Sequence, residues 1–92
     1  MLRGKRAVIT GGGGGFGQAL CVWLAREGVD VDFSARRVVD IENTCALFAS
    51  DGGVARGYLC DLAQPESISQ FSSQVLRSEK PIDILILNAA PV

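Results

Sequence analysis

The chain has 92 residues, of which 48% are hydrophobic and 21% charged, a balance typical of one small folded domain. Its net charge is −1 and it has no basic run, which disfavours nucleic acid and anionic membranes as partners. Without histidine, and with only three widely spaced cysteines, it should carry free thiols and no metal site. No apolar stretch resembles a membrane helix or signal peptide, so we expect a cytoplasmic protein.

Short apolar runs alternate with helical patterns along the chain, which is typical of βαβ units and a parallel sheet. The predicted strands are residues 7–10, 29–34, 54–60 and 82–87. Three amphipathic helices between them have the predicted buried stripes Phe16, Ala19, Leu20, Trp23 and Leu24; Val38, Ile41, Cys45, Phe48 and Ala49; and Ile68, Phe71, Val75 and Leu76.

The predicted fold is therefore α/β: a Rossmann-like parallel sheet with element order β-α-β-α-β-α-β and strand order 3-2-1-4. Residues 1–92 would form one partial domain of this kind. In such a sheet the fourth strand normally has a further neighbour. Because none follows here, we expect the domain to be truncated after that strand, leaving an apolar edge.

Five consecutive glycines, Gly11 to Gly15, separate the first strand from the first helix. Glycines at such a turn let the backbone approach a phosphate, and a helix start offers free N–H groups and partial positive charge. A phosphate-binding loop is the favoured interpretation, and a flexible turn that binds nothing is the alternative.

A P-loop is excluded because Gln18-Ala19, not Lys-Ser or Lys-Thr, follows Gly17. A methyltransferase loop is disfavoured by Thr10, where an acidic residue is usual.

Four sequence features, in the order given, support the interpretation of the glycine run as a phosphate-binding loop. The segment from Thr10 to Gly17 fits TGxxxGxG, Arg36 follows the second strand, Cys60-Asp61-Leu62 follows the third, and Leu87-Asn88-Ala89-Ala90 ends the fourth. Over essentially all 92 residues the chain resembles the short-chain dehydrogenase/reductases. Leu87 and Ala90 depart from that family's NNAG motif. The resemblance, together with the neighbouring Arg36 and Arg37, implies these cofactor-binding residues: Thr10, Gly11, Gly13, Gly14, Gly15, Phe16, Gly17, Arg36, Arg37, Asp61, Leu62, Asn88 and Ala89.

The end of the second strand favours NADP over NAD. NAD binders place a carboxylate there for the ribose hydroxyls, but Ala35 occupies the position and Asp32 lies too early. We expect Asp32 to lie near an edge or to be paired with a neighbour. Arg36 and Arg37 could hold a 2′-phosphate, although a solvated surface pair is the ordinary alternative. Gly14 stands where many NADP-preferring members of the family have a basic residue.

No catalytic residue is predicted. The resemblance implies hydride transfer between a nicotinamide and an alcohol or carbonyl, with a serine and a Tyr-x-x-x-Lys motif handling the proton. Tyr58 falls in the third strand with Leu62 four residues on, and Lys5 and Lys80 lie near the two ends.

Three hypotheses about function remain open. The chain is the NADP-binding N-terminal portion of an oxidoreductase, a non-catalytic nucleotide-binding or regulatory module, or an unstable truncated product. The first is favoured by the family resemblance. Substrate and oligomeric state are not predicted.

Overall fold

A computed structural model describes residues 2–48 and 54–88. The elements in chain order are β1 (Arg6–Thr10), α1 (Gly15–Arg26), β2 (Asp30–Ala35), α2 (Val38–Phe48), β3 (Val54–Leu59), α3 (Pro65–Leu76) and β4 (Ile84–Leu87). Their order confirms the predicted alternation of strands and helices. Boundaries differ from the prediction by one or two residues, because residues at strand ends have weak periodicity.

The four strands form one parallel sheet in the order β3-β2-β1-β4, which confirms the predicted Rossmann-like fold. Ile9 of β1 is in register with Phe33 of β2 on one side and Ile86 of β4 on the other. Because all strands run the same way, the segments that follow them meet at one edge of the sheet. The glycine loop after β1 lies at this edge.

Apolar residues on the two faces of the sheet form separate cores, since successive strand residues point to opposite faces. The larger core packs α1 and α2 on one face and consists of Ala7, Ile9, Cys21, Leu24, Ala25, Val29, Val31, Phe33 and Phe48. The smaller core packs α3 on the other face and consists of Val8, Cys60, Phe71 and Val75. On β4, Leu85 and Leu87 remain 61% and 76% exposed.

The predicted buried stripe of α1 was wrong in part. The helix buries Gly17, Cys21, Leu24 and Ala25, whereas Phe16 and Trp23 are 69% and 54% exposed. The rotation of α1 is set by Gly17, which packs against the backbone of the glycine loop. Apolar side chains recur on more than one face of this helix, so periodicity alone could not choose between the faces.

The stripes of the other two helices were also only partly correct. In α2 the buried residues are Thr44 and Phe48, while Val38 is 54% exposed, and the predicted Ala49 lies outside the described residues. In α3 the buried residues are Phe71 and Val75, and Ile68 and Leu76 are 40% and 68% exposed. Each of these two helices thus has a narrower buried face than its sequence pattern indicates.

Asp32 lies inside the sheet and is completely buried. Its carboxylate pairs with Arg6 Nη2 at 2.9 Å and with Arg56 Nε at 2.7 Å, and the Tyr58 hydroxyl donates to it at 3.1 Å. The expectation that Asp32 is paired with a neighbour is therefore confirmed. A buried charge persists only when it is paired and hydrogen-bonded in this way.

Candidate functional site

The start of the glycine loop is fixed by four hydrogen bonds that use all the backbone polar groups of Gly11 and Gly12. Ser34 accepts from both N–H groups, through its Oγ at 3.1 Å from Gly11 N and its carbonyl at 2.8 Å from Gly12 N. Asn88 Nδ2 donates to the Gly11 carbonyl at 3.2 Å, and Thr44 Oγ1 donates to the Gly12 carbonyl at 2.9 Å. The first half of the loop is therefore held by three neighbouring elements.

The second half of the loop has free donors. Within residues 2–48 and 54–88, the N–H groups of residues 13–17 have no acceptor, and the first backbone bond of α1 runs from Gln18 N to Gly14 O. Gly14 is the N-cap in an extended conformation without a side-chain cap. The first turn also has no acidic residue. These N–H groups, with the positive end of the helix dipole, can hold an anion such as a pyrophosphate.

Gly17 allows α1 to approach the loop closely. A Cβ on Gly17 would overlap the Gly11 carbonyl oxygen and lie 2.6 Å from Asn88 Nδ2. Asn88 is itself anchored to β1, because its N–H donates to Thr10 Oγ1 at 3.1 Å. Predicted site residues from β1, α1 and the end of β4 therefore lie together, while the predicted Ala89 lies outside the described residues.

A cavity of about 510 Å³ lies beside the loop and is lined by Arg36, Arg37, Asp40 and Asp61. Gly13 is the part of the loop that lies close to this cavity. A Cβ on Gly13 would lie 2.8 Å from the Cβ of Asp40, which lines the cavity, and 2.9 Å from the Cβ of Ala35. The structure thus brings together the predicted residues that follow β2 and β3. Leu62, also predicted, packs against the smaller core.

The two arginines of the cavity differ in their contacts. Arg37 makes a two-pronged contact with Asp40, with Nε and Nη2 at 3.0 and 3.2 Å from the carboxylate oxygens. The hydrogen bond to Asp40 raises the pKa of the exposed Arg37 guanidinium above its ordinary value. Arg36 is exposed and has no ion pair or side-chain hydrogen bond with any residue in the described part of the chain. Arg36 is therefore the more available cation.

The carboxylate of Asp61 is oriented by its own turn. Its Oδ1 accepts from Ala63 N at 3.0 Å, and its N–H donates to Ser67 Oγ of α3 at 2.8 Å. These bonds hold the loop after β3 in place and keep Asp61 at the wall of the cavity.

Comparison with known proteins identifies the family of this chain. The profile of the family described as short chain dehydrogenase matches residues 5–91. The chain belongs to the short-chain dehydrogenase family. Members of this family bind a dinucleotide cofactor, NAD or NADP.

Individual members of the short-chain dehydrogenases are similar over nearly the whole chain. An uncharacterized oxidoreductase of Mycobacterium tuberculosis is 36% identical over 91 residues, which cover 96% of this chain and 27% of that protein. A short-chain dehydrogenase/reductase structure from Mycobacterium marinum has a TM-score of 0.87 and 33% identity, with 99% of this chain and 37% of that chain covered. A metagenomic short-chain oxidoreductase in complex with NADP has a TM-score of 0.88 and 32% identity, with 97% and 40% covered. This chain thus spans well under half the length of these relatives and corresponds to an N-terminal part of the family.

Four residues that hold or line the site were missed from the sequence: Gln18, Ser34, Asp40 and Thr44. Thr44 could have been noticed as a polar residue at a position where the helical period of α2 calls for an apolar one. Asp40 follows Arg37 by one helical turn, the spacing of an ion pair. Ser34 and Gln18 carry no such signal, since their partners are distant in sequence.

The described residues form neither a metal site nor a membrane-spanning helix. Among residues 2–48 and 54–88, no cluster of His, Cys, Asp or Glu could hold a metal ion, and no helix has the length and apolar character to span a bilayer. Burial and the nearby Asp32 carboxylate raise the pKa of Tyr58, and its hydroxyl is bonded to Asp32 rather than facing the cavity residues. Cys21, Cys45 and Cys60 are free thiols.

Proposed function

We propose that this chain is the NADP(H)-binding N-terminal portion of a short-chain dehydrogenase-type oxidoreductase. The bound dinucleotide would supply hydride transfer. The residues of the loop and the cavity would bind and orient it, while proton transfer would require a Tyr-x-x-x-Lys motif, which does not occur in this sequence. The alternative is a non-catalytic nucleotide-binding or regulatory module that uses the same site.

The loop and the cavity together fit a dinucleotide. The N–H groups at the start of α1 are free, and the first turn of this helix has no acidic residue, so they would suit the pyrophosphate. The cavity of about 510 Å³ adjoins the loop at Gly13 and suits an adenosine group. In this arrangement Asp61 and Leu62 would lie at the adenine ring. Thr10 and Asn88 would support the loop from the side of β4.

The observation that carries the preference for NADP is the combination of Ala35 and Arg36. Ala35 ends β2 with no side-chain acceptor for ribose hydroxyls. The adjacent Arg36 is exposed at the cavity and has no partner in the described ranges. A guanidinium at this position can hold a 2′-phosphate in a two-pronged, charge-assisted contact. Arg37 contributes positive charge but is already engaged by Asp40.

Binding of NADPH and NADH to the purified chain, followed by nicotinamide fluorescence, tests this proposal. Replacing Arg36 by Ala should weaken NADPH binding about tenfold or more, the value of one charge-assisted contact, and leave NADH binding nearly unchanged. Arg77→Ala is the matched control, since Arg77 is an exposed arginine outside the cavity, at the end of α3. Equal affinity for NADPH and NADH, with no effect of Arg36→Ala, would show that the 2′-phosphate assignment is incorrect. Absence of binding by a folded chain would exclude the cofactor-binding function itself.

A further inference from the structure

Thr44 is a completely buried polar side chain in the middle of α2. Its hydroxyl donates to the Gly12 carbonyl at 2.9 Å and accepts from Gln18 Nε2 of α1 at 3.1 Å. A valine would fill nearly the same space, and threonine is a poorer helix former than many residues. The side chain is therefore distinguished by its hydrogen bonds to the loop rather than by its packing.

Gln18 determines the direction in which the Thr44 hydroxyl donates. A threonine hydroxyl has one proton, and its oxygen can also accept. With the side-chain amide of Gln18 donating to that oxygen, the single proton of Thr44 is directed to the Gly12 carbonyl. Gln18, Thr44 and Gly12 thus form a hydrogen-bonded relay from α1 through α2 to the loop.

The Gly12 carbonyl and the Gly13 N–H belong to the same peptide unit. In a planar trans peptide these two groups point in opposite directions, and the chain has no cis peptide among its described residues. Because the carbonyl is held toward Thr44 of α2, the Gly13 N–H is directed away from that side chain. That N–H has no acceptor within the described ranges, and it is the first free donor of the loop.

We propose that Thr44 is a positioning residue of the cofactor loop: the Gln18–Thr44–Gly12 relay presets the Gly13 N–H toward the pyrophosphate. This inference rests on the proposed function, and it adds a residue outside the glycine motif to the binding apparatus. The pyrophosphate is common to both dinucleotides. The relay therefore acts equally on NADPH and NADH, unlike Arg36.

Three chains test the relay: the wild type, Thr44→Val and Thr44→Ser. Thr44→Val removes the hydroxyl and should weaken NADPH and NADH binding by the same factor, about three- to tenfold, the worth of one hydrogen bond. Thr44→Ser keeps the hydroxyl and should restore affinity to within about twofold of wild type. Arg36→Ala, which should affect NADPH alone, is the contrasting control. A loss of affinity in Thr44→Val that Thr44→Ser does not restore would overturn the relay in favour of simple packing.

A second measurement on the cofactor-free chain separates this inference from the proposed function. In nitrogen-15 NMR spectra, Thr44→Val should shift, broaden or speed the hydrogen exchange of the Gly12 and Gly13 amides, and Thr44→Ser should not. If the wild type bound no dinucleotide, the proposed function would fail, while this comparison would still decide whether Thr44 orders the loop. Unchanged Gly12 and Gly13 amides in a folded Thr44→Val chain would overturn the positioning role.

Discussion

Arg6 and Asp32 form an ion pair of 2.9 Å between side chains that are 2% and 0% exposed. Arg6 also donates to the carbonyls of Val75 at 2.6 Å and Lys80 at 2.7 Å, at and beyond the end of α3. One guanidinium therefore joins β1 to β2 and to the carboxyl end of a helix, whose last carbonyls lack partners within the helix.

Removal of the Asp32 carboxylate should strongly destabilise the fold. Asp32→Ala leaves the buried guanidinium of Arg6 without its counter-ion, and breaking such a pair costs about 3–5 kcal/mol. Urea denaturation followed by circular dichroism measures the change in the free energy of unfolding. Asp40→Ala removes a carboxylate from the exposed pair with Arg37 and should change stability little. Equal urea midpoints for Asp32→Ala and wild type would contradict the structural role of the pair.

Alanine at Gly17 should destabilise the loop although alanine is the better helix former by about 1 kcal/mol. The added Cβ would overlap the Gly11 carbonyl oxygen and approach Asn88 Nδ2, so α1 would have to move away from the loop. We expect a lower melting temperature and loss of dinucleotide binding. Gly14→Ala is the matched control, because its Cβ would meet nothing within 4 Å and its φ of −171° suits any residue. A Gly17→Ala chain as stable as Gly14→Ala would show that this close approach is not required.

Neutralising Asp40 should improve NADPH binding. The carboxylate holds Arg37 and places negative charge in the cavity where the 2′-phosphate is proposed to bind. Asp40→Asn should therefore strengthen NADPH binding about two- to fivefold, the worth of an exposed ion pair, and leave NADH binding unchanged. Fluorescence titrations at low salt, where surface charges are least screened, give the largest difference. Weaker NADPH binding by Asp40→Asn would mean that Asp40 orients Arg37 for the phosphate rather than competing with it.

Stability should fall above pH 9, in part because of Cys21. Burial, with the nearby Cys45 thiol, raises the pKa of Cys21 from 9.0 to about 12. The unfolded chain then loses this proton at a lower pH than the folded chain. The stabilising contribution is therefore complete below pH 9 and is lost as the pH rises toward about 12.

Urea midpoints measured between pH 7 and 11 in Cys21→Ala and wild type test this assignment. The variant should be less stable at pH 7, because a buried side chain is shortened, but its stability should fall less steeply with pH. A residual slope is expected, since the pKa values of Cys45 and Tyr58 are also raised, mainly by burial. Parallel pH profiles for the two chains would exclude Cys21 as a source of the slope.

The prediction from sequence was most successful where the signal is local. The alternation of apolar runs with helical periods follows from backbone geometry, and it correctly gave the seven elements and the strand order. The glycine run between β1 and α1 placed the loop at the carboxyl edge of the sheet for the same reason. The pairing of Asp32 could be expected, because an unpaired carboxylate inside a sheet is too costly, but its partners Arg6 and Arg56 could not be identified.

The sequence by itself determined the family and the order of elements, because each depends on periodicity or on a short motif. Only the tertiary structure decided which face of α1 is buried, since the contact of Gly17 with Gly11 fixes the rotation of that helix. It also decided that Arg37 is engaged by Asp40 while Arg36 is available, and that Thr44 reaches the Gly12 carbonyl. A hydrogen bond between groups 32 residues apart depends on how the helices pack, and no local pattern specifies that packing.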